Sequence, residues 1–382
     1  MSRQFCPSRL RTACRCVAIF VAVALSGCAT NSPPGAPEHA HLTAAEGRAL
    51  VARLLPAGTA DRAGWATDIF AAITALDIAP TADNACAIIA IAEQESGLRV
   101  DPPVPGLARI AWKEIEARRE RAGVPKIVLD AALALPSSNG KRYSERIDAV
   151  GTEGQLSGIY DDLIGRVPFG RALFAERNPV RTGGPMQVAV AFAEAQAEAA
   201  PYPYPISGSV RDEVFTRRGG VYFGTAHLLG YRASYGRYLY RFADYNAGRY
   251  ASRNAAFQRA VSEVSGIPLA LDGDLLRYDG GKPSSELGNT EIAVRVLAPR
   301  LGMSEAEIRR DLALGKEEAF EHSRLDARVF ALADEMARKR EPRAIVPTIV
   351  LSSPKITRRL TTDWFAHRVD ERFRACLARN DH

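Results

Sequence analysis

The sequence predicts a mainly α protein, and three observations carry the prediction. Alanine is abundant along the whole chain, and alanine loses least on entering a helix. Strand-like alternation of apolar and polar residues is rare. Helix starts are also written out as capping boxes, at Thr43-x-x-Glu46 and Ser304-x-x-Glu307, where a hydroxyl and a carboxylate each satisfy the other residue's amide. Residues 344–352, AIVPTIVLS, are an extended exception whose proline demotes them to an edge strand or a packed arm. The length of 382 residues suffices for one large domain with extensions or for two domains.

Residues 1–27 carry Arg3, Arg9, Arg11 and Arg15 and no acid, and contain an apolar run at 17–25 that is too short to cross a bilayer, the pattern of an export leader. Leu25-Ser26-Gly27-Cys28 resembles the lipobox of bacterial lipoproteins. The resemblance implies that residues 1–27 are a signal peptide, that Cys28 is the site of lipidation, and that acyl chains anchor the protein without a spanning helix. Ala29 stands where an Asp would retain a lipoprotein at the inner membrane. The implied location is therefore the outer membrane of a Gram-negative cell, on the periplasmic face. Residues 28–42 hold Pro, Ser, Asn, Gly and His with hardly any apolar content, and read as a flexible tether reaching roughly 40 Å when extended. His39 and His41 belong to that spacer.

The leader accounts for most of the excess of 50 basic over 44 acidic residues, so the chain beyond it is close to neutral. Nucleic acid is not an expected partner, because phosphate binding needs a clustered basic surface. Cys6, Cys14 and Cys16 leave with the leader, and Cys28 carries lipid. For Cys86 and Cys376 two states fit, a disulfide tying the tail to the central helix or a buried free thiol at Cys86. There is no CxxC pair and no HExxH, and the six histidines are scattered, so no metal site and no cofactor is expected.

The ordered chain starts with a helix from the Thr43 box to about Leu55 and a second over 61–76, whose Trp65, Ile69, Phe70 and Ile73 form a packing face. Residues 85–92, ACAIIAIA, are small or apolar without a break, and a helix apolar on every side is buried on every side. Thr81 or Asp83 caps its start and Gly97 takes the left-handed position at its stop. Glu95 then sits in the last turn, where aligned carbonyls and apolar neighbours both disfavour its charge and raise its pKa. Glu93 and Glu95 alternatively fray into water. Helical patterns at 107–122, 127–135 and 159–174 follow, punctuated by Pro125, Pro136 and Pro168.

Gly183-Gly184-Pro185-Met186-Gln187 forces a tight turn ahead of a helix near Val188. Its glycines allow close backbone approach, Met186 offers an apolar wall, and Gln187 offers both a donor and an acceptor. Pro201-Tyr202-Pro203-Tyr204-Pro205 reads as an exposed, stiff connector. From Asp212 the chain is helical again up to Asp244-Tyr245-Asn246-Ala247-Gly248. Asp272-Gly273-Asp274 and residues 278–283 read as loops. Helices follow from Thr290 and Ser304 and over 326–338, and residues 361–377 carry Trp364, Phe365, Val369 and Phe373 as a packing stripe.

Three short segments taken in order, Glu95-Ser96, Gly184-Pro185-Met186-Gln187 and Asp244-Tyr245-Asn246-Ala247-Gly248, resemble the motifs of the lysozyme-like lytic transglycosylases that cleave bacterial peptidoglycan. In that family they read Glu-Ser, Gly-Leu-Met-Gln and Ala-Tyr-Asn-x-Gly. Gly220-Val221-Tyr222 and Leu228-Leu229 precede the third segment with the family's helical spacing. The resemblance implies a lysozyme-like helical domain over 43–265, interrupted by a long helical insertion at 97–183, with 266–382 as a mostly helical C-terminal extension of unknown role. It also implies that Glu95 is the catalytic acid, that Ser96, Met186, Gln187, Tyr245 and Asn246 bind substrate, and that the partners are glycan strands. The bond implied is the MurNAc-GlcNAc β-1,4 linkage. Asp244 departs from the family's small residue and is either a surface charge or a second carboxylate that turns the enzyme toward hydrolysis. Three roles fit the insertion: roofing the cleft, adding subsites, or blocking it. Blocking would leave a non-catalytic peptidoglycan-binding or structural envelope lipoprotein.

Overall fold

Thr43 opens the fold as its capping box requires. Its hydroxyl accepts from the Glu46 amide at 3.3 Å, the Glu46 carboxylate takes the Thr43 amide at 2.8 Å, and α1 (Ala44–Leu54) follows. The structure, a computed structural model, describes residues 42–279, 281–351 and 360–380. The expected leader, Cys28 and the tether up to residue 41 lie outside the described residues. No helix among the described residues is long and apolar enough to cross a membrane. The chain is mainly α, as its composition predicts.

Asp61 caps α2 (Arg62–Ala75), which buries Trp65, Ile69 and Ile73, while Phe70 lies across α1 at Gly47. A Cβ at Gly47 would fall 1.9 Å from that ring, so the glycine makes the crossing possible. Thr81, rather than Asp83, caps α3 (Ala82–Ser96), and Gly97 ends it at φ 62°. Every residue from Ala85 to Ala92 is at most 1% exposed, so α3 is the buried axis that its uniformly apolar sequence demands.

The insertion folds around a small core of its own, made by α4 (Leu107–Arg121), α5 (Lys126–Leu133), α6 (Tyr143–Asp148) and α7 (Glu153–Gly165). The single helix expected over 159–174 is corrected here. Thr152 starts α7 six residues before that pattern appears, and Pro168 separates α7 from α8 (Gly170–Phe174). The sequence gives no hint of α6, which is too short to show a period.

The helix expected at Val188 starts later, because residues 182–189 form a hairpin. Strand β1 (Thr182–Gly183) pairs antiparallel with β2 (Val188–Ala189), and the Gln187 amide closes the turn on the Gly184 carbonyl at 3.1 Å. The main core then continues through α9 (Val190–Ala199), α10 (Val210–Val214), α11 (Arg217–Leu229) and α12 (Tyr238–Ala247). Residues 201–205 are not a free connector. Tyr202 stacks on Phe223 with ring centroids 5.1 Å apart and donates to Glu213 Oε2 at 2.8 Å, so this segment is docked on α10 and α11.

A second core gathers α13 (Ala251–Ser265), the hairpin of β3 (Tyr278–Asp279) and β4 (Lys282–Pro283), α14 (Asn289–Val296), α15 (Ala298–Leu301), α16 (Glu305–Ala313) and α17 (Arg324–Ala337). Residues 344–351 run out as the expected packed arm, tied by Ile345 N to Ser252 O at 3.0 Å and by Thr348 N to Leu271 O at 2.8 Å. The arm ends in β5 (Val350–Leu351), paired with β6 (Leu360–Thr361). Last comes α18 (Thr362–Leu377), which returns to the main core and packs on α3 and α12 through Phe365, Ala366, Val369 and Phe373. A disulfide between Cys376 and Cys86 fastens α18 to α3, which decides between the two cysteine states. The first core is therefore discontinuous in sequence, and a division at residue 265 cuts α18 away from the core it completes.

Candidate active site

The site forms at the C-terminal end of α3. Arg372 of α18 donates to Glu93 Oε1 at 2.6 Å and to Gln94 Oε1 at 3.1 Å, so Glu93 is held in an ion pair rather than frayed into water. Glu95 lies two residues on, about 200° around the helix and away from that clamp. It is half-buried. Ser96 is 8% exposed, and its hydroxyl donates to Ala92 O at 2.8 Å and accepts from the Arg99 amide at 3.1 Å. A side chain so engaged fastens the helix end beneath Glu95. Its O–H is taken up within the helix end, so what the structure gives Ser96 is a structural part, and the substrate role expected of it has no free donor.

The hairpin turn reaches the site through the main chain. Met186 is fully buried, with its side chain set into the notch left by Gly224 on α11, where a Cβ would meet Met186 Sδ at 2.5 Å. Gly220, one turn earlier, leaves room for Pro185 in the same way. The apolar wall expected of Met186 is therefore part of the core. Its carbonyl is what serves the site, because it accepts the Tyr245 hydroxyl at 2.7 Å. Gln187 is half-buried at φ 50°, a left-handed conformation uncommon for a residue with a side chain. Its amide nitrogen donates to Gly184 O at 3.3 Å, and its carbonyl oxygen lies 3.5 Å from Thr182 Oγ1. Such strain persists where the surroundings over-determine it, and it is concentrated at functional sites.

Tyr245 and Asn246 stand in the last turn of α12. Burial, and after it the charge of Glu95, pushes the Tyr245 hydroxyl well above the usual phenol range, so the group remains a proton-bearing donor. That coupling brings the first and third sequence segments together, and the Met186 bond adds the second. Asn246 is exposed, and its Oδ1 accepts from the buried Thr362 hydroxyl at 2.9 Å.

Asp244 is neither a surface charge nor an available base. It is 1% exposed, and its two oxygens take the Ser252 amide at 2.7 Å, the Tyr250 amide at 2.9 Å, and the hydroxyls of Tyr235 at 2.6 Å and Tyr231 at 3.1 Å. It holds the turn from α12 into α13 and so joins the two large cores.

Four supporting residues have no sequence motif. His227 lies between Phe192 and Tyr245, with ring centroids 4.8 and 4.9 Å away, and its Nε2 faces the Tyr245 carbonyl at 3.3 Å. Burial, and then the neighbouring Arg249 charge, brings its pKa down to about 4. Arg249 covers the ring of Phe192 at 4.9 Å and donates to Ala226 O at 2.5 Å. Arg372 and Thr362 arrive on α18 from beyond the reach of the resembled motifs. A lone His or Arg on a helical face looks like any other in sequence. Only the alternation of arginines with aromatics over 361–377 hinted that this helix docks.

One group with metal-ligand atoms within 4.8 Å of one another occurs among the described residues, Glu318, Glu321 and His322. Glu321 of that group already accepts from Ser234 at 3.1 Å.

Residues 58–379 match a family described as a protein of unknown function, DUF1615. The chain is also 51% identical over 361 residues to "Uncharacterized protein YaiW" of Escherichia coli (strain K12), an alignment covering 94% of this chain and 97% of that protein. No solved structure matches.

Proposed function

The chain belongs to the DUF1615 family, and we propose that it is a peptidoglycan-cleaving lytic transglycosylase with Glu95 as its single catalytic acid. The observation that carries the reading is the convergence at Tyr245, whose hydroxyl is bonded to the Met186 carbonyl and feels the charge of Glu95. Three segments far apart in sequence, which resemble the motifs of the lysozyme-like lytic transglycosylases, are thereby linked.

The chemistry asks little more of the protein. Glycosidases generally need two carboxylates, but an acetamido group on the substrate replaces the second. In the proposed sequence Glu95 protonates the glycosidic oxygen of the MurNAc-GlcNAc bond while the acetamido oxygen stabilises the developing cation. Glu95 then takes the proton of the sugar's 6-hydroxyl as the 1,6-anhydro ring closes. Tyr245 fixes the geometry beside the glutamate, and Gln187 and the Asn246 amide offer hydrogen bonds to the glycan. With Asp244 fully engaged, no second carboxylate from that segment is on hand to activate water, which favours the anhydro product over hydrolysis. The proposed setting is the periplasmic face of the outer membrane, with anchoring through lipidated Cys28.

Incubation of the purified full-length protein with peptidoglycan, followed by mass spectrometry, tests the proposal. Anhydro-muropeptides are expected. Binding without product would favour a non-catalytic wall-binding lipoprotein, and sugar-independent association with other proteins would favour a structural one.

A further inference from the structure

The insertion holds a cavity of about 590 Å³ between α4, α5, α6 and α7. Protein interiors are close-packed, and voids larger than a water molecule are few. Here Leu107, Leu133, Ile147 and Ile159, which pack as the insertion's core, line a hollow together with Ile115 and Leu163. Water is a poor filler for such walls, since a buried water needs two to four polar partners. An apolar cavity of roughly 150 Å³ accepts a benzene ring, so this one has room for a chain on the order of fifteen to twenty carbons. Its size also lies in the range of small-molecule sites, which are mostly apolar with a few placed polar groups.

The polar groups on the wall are few and unequal. Arg118 and Arg119 are answered by Glu114 and Glu116, each at 2.6 Å. Glu153 stands in the first turn of α7, where the helix amides favour a negative charge. Arg181 is different: it is an exposed guanidinium on the lining. Tyr143, fully buried on the wall, has a hydroxyl with no hydrogen-bond partner. The outer surface of the same insertion is unusually apolar, with Phe169 83%, Ile127 77% and Leu173 63% exposed.

We propose that residues 97–183 form a binding site for a lipid-class ligand, a long hydrocarbon chain with an anionic head, the chain lying in the cavity and the head at Arg181. The proposal does not rest on the glycan-cleaving reading, and Glu95 is not among the cavity's lining residues. Thr182 does border both the cavity and Gln187, so a bound chain lies against the hairpin of the candidate active site.

The test is a titration of the full-length chain with 11-(dansylamino)undecanoic acid. Saturable, blue-shifted fluorescence with one probe per chain is expected. Ala111→Trp, which fills the cavity, lowers affinity at least tenfold. Ala122→Trp at the exposed rim does the same, and it preserves the test if the buried substitution prevents folding. Arg181→Glu weakens the anionic probe at least fivefold but leaves competition by neutral dodecanol unchanged. Displacement by hexadecanoate identifies a free fatty acid as the source, and displacement only by phosphatidylglycerol vesicles identifies a membrane lipid. Absence of saturable binding, affinity within twofold of wild type in both tryptophan variants, or displacement by neither competitor overturns the proposal.

Discussion

The hydroxyl of Tyr245 donates to the main-chain carbonyl of Met186 at 2.7 Å, and this bond joins the end of α12 to the hairpin beside α3. Tyr245→Phe leaves that carbonyl without its donor in a buried setting, at a cost of about 1–3 kcal/mol. Urea unfolding of the variant should show a midpoint lowered to match, with slope unchanged. Cleavage of peptidoglycan should fall more than the loss of folded protein explains, because the position of Glu95 relative to the hairpin is released. A variant as stable as wild type would show that the bond contributes nothing.

Asp244 gathers four donors, and Asp244→Asn both removes the charge that strengthens them and turns an amide NH₂ toward at least one backbone N–H. Destabilisation of about 2–4 kcal/mol is expected in thermal or urea unfolding. Any product the variant still makes should keep the anhydro end. A switch in the ratio of anhydro to hydrolysed product would return Asp244 to the chemistry.

The disulfide between Cys86 and Cys376 closes a loop spanning 290 positions. Cys376→Ser, or reduction, should cost about 2–5 kcal/mol, toward the upper end because long loops gain most from closure. It should also loosen α18, and with it the Thr362 hydroxyl on Asn246 and the Arg372 clamp on Glu93. Hydrogen exchange in 362–377 should rise on reduction while exchange in 289–337 stays unchanged. Equal exchange in both states would contradict this.

Two half-buried groups pull stability in opposite directions with pH. His227 has its folded pKa lowered to about 4 from an unfolded value near 6.5. Below pH 6.5 the unfolded chain takes up a proton that the folded chain refuses, so stability is full above that pH and declines by about 3 kcal/mol toward pH 4. Asp326 is pushed up to about 7, chiefly by burial, so it is the folded state that binds the extra proton. Its contribution is full below pH 3.8 and is lost, by about 4 kcal/mol, as pH rises to 7. Wild type alone would show the two nearly cancelling. His227→Gln should remove the acid-side loss and Asp326→Asn the alkaline-side loss, each read as a divergence from the wild-type curve between pH 4 and 7.5. Curves that run parallel would contradict the assignments.

The helical character, both capping boxes, the buried α3 with Thr81 and Gly97 at its ends, and the packed arm at 344–351 were legible because each depends on local chemistry. The hairpin at 182–189 was hidden because its strands are two residues long and its turn looks like a helix entry. Asp244 read as an anomaly, since nothing local shows that the tyrosines nine and thirteen residues upstream turn back onto it. The return of α18 to α3 is a long-range pairing whose traces in the sequence were the second cysteine and the aromatic stripe over 361–377. At the candidate site, motif order along the chain singled out Glu95 and Tyr245, which the fold brings within electrostatic reach of each other. It could not separate a side chain from its backbone, so Met186 was read as a wall when its side chain is core and its carbonyl takes the Tyr245 hydroxyl.

The central claim is that Glu95 is the catalytic acid, and Glu95→Gln tests it most directly, because it keeps the shape of the side chain and removes only the exchangeable proton. With folding verified by circular dichroism, release of anhydro-muropeptides from peptidoglycan should fall at least a hundredfold relative to wild type, the scale of a lost general acid. Undiminished release from Glu95→Gln would contradict the account.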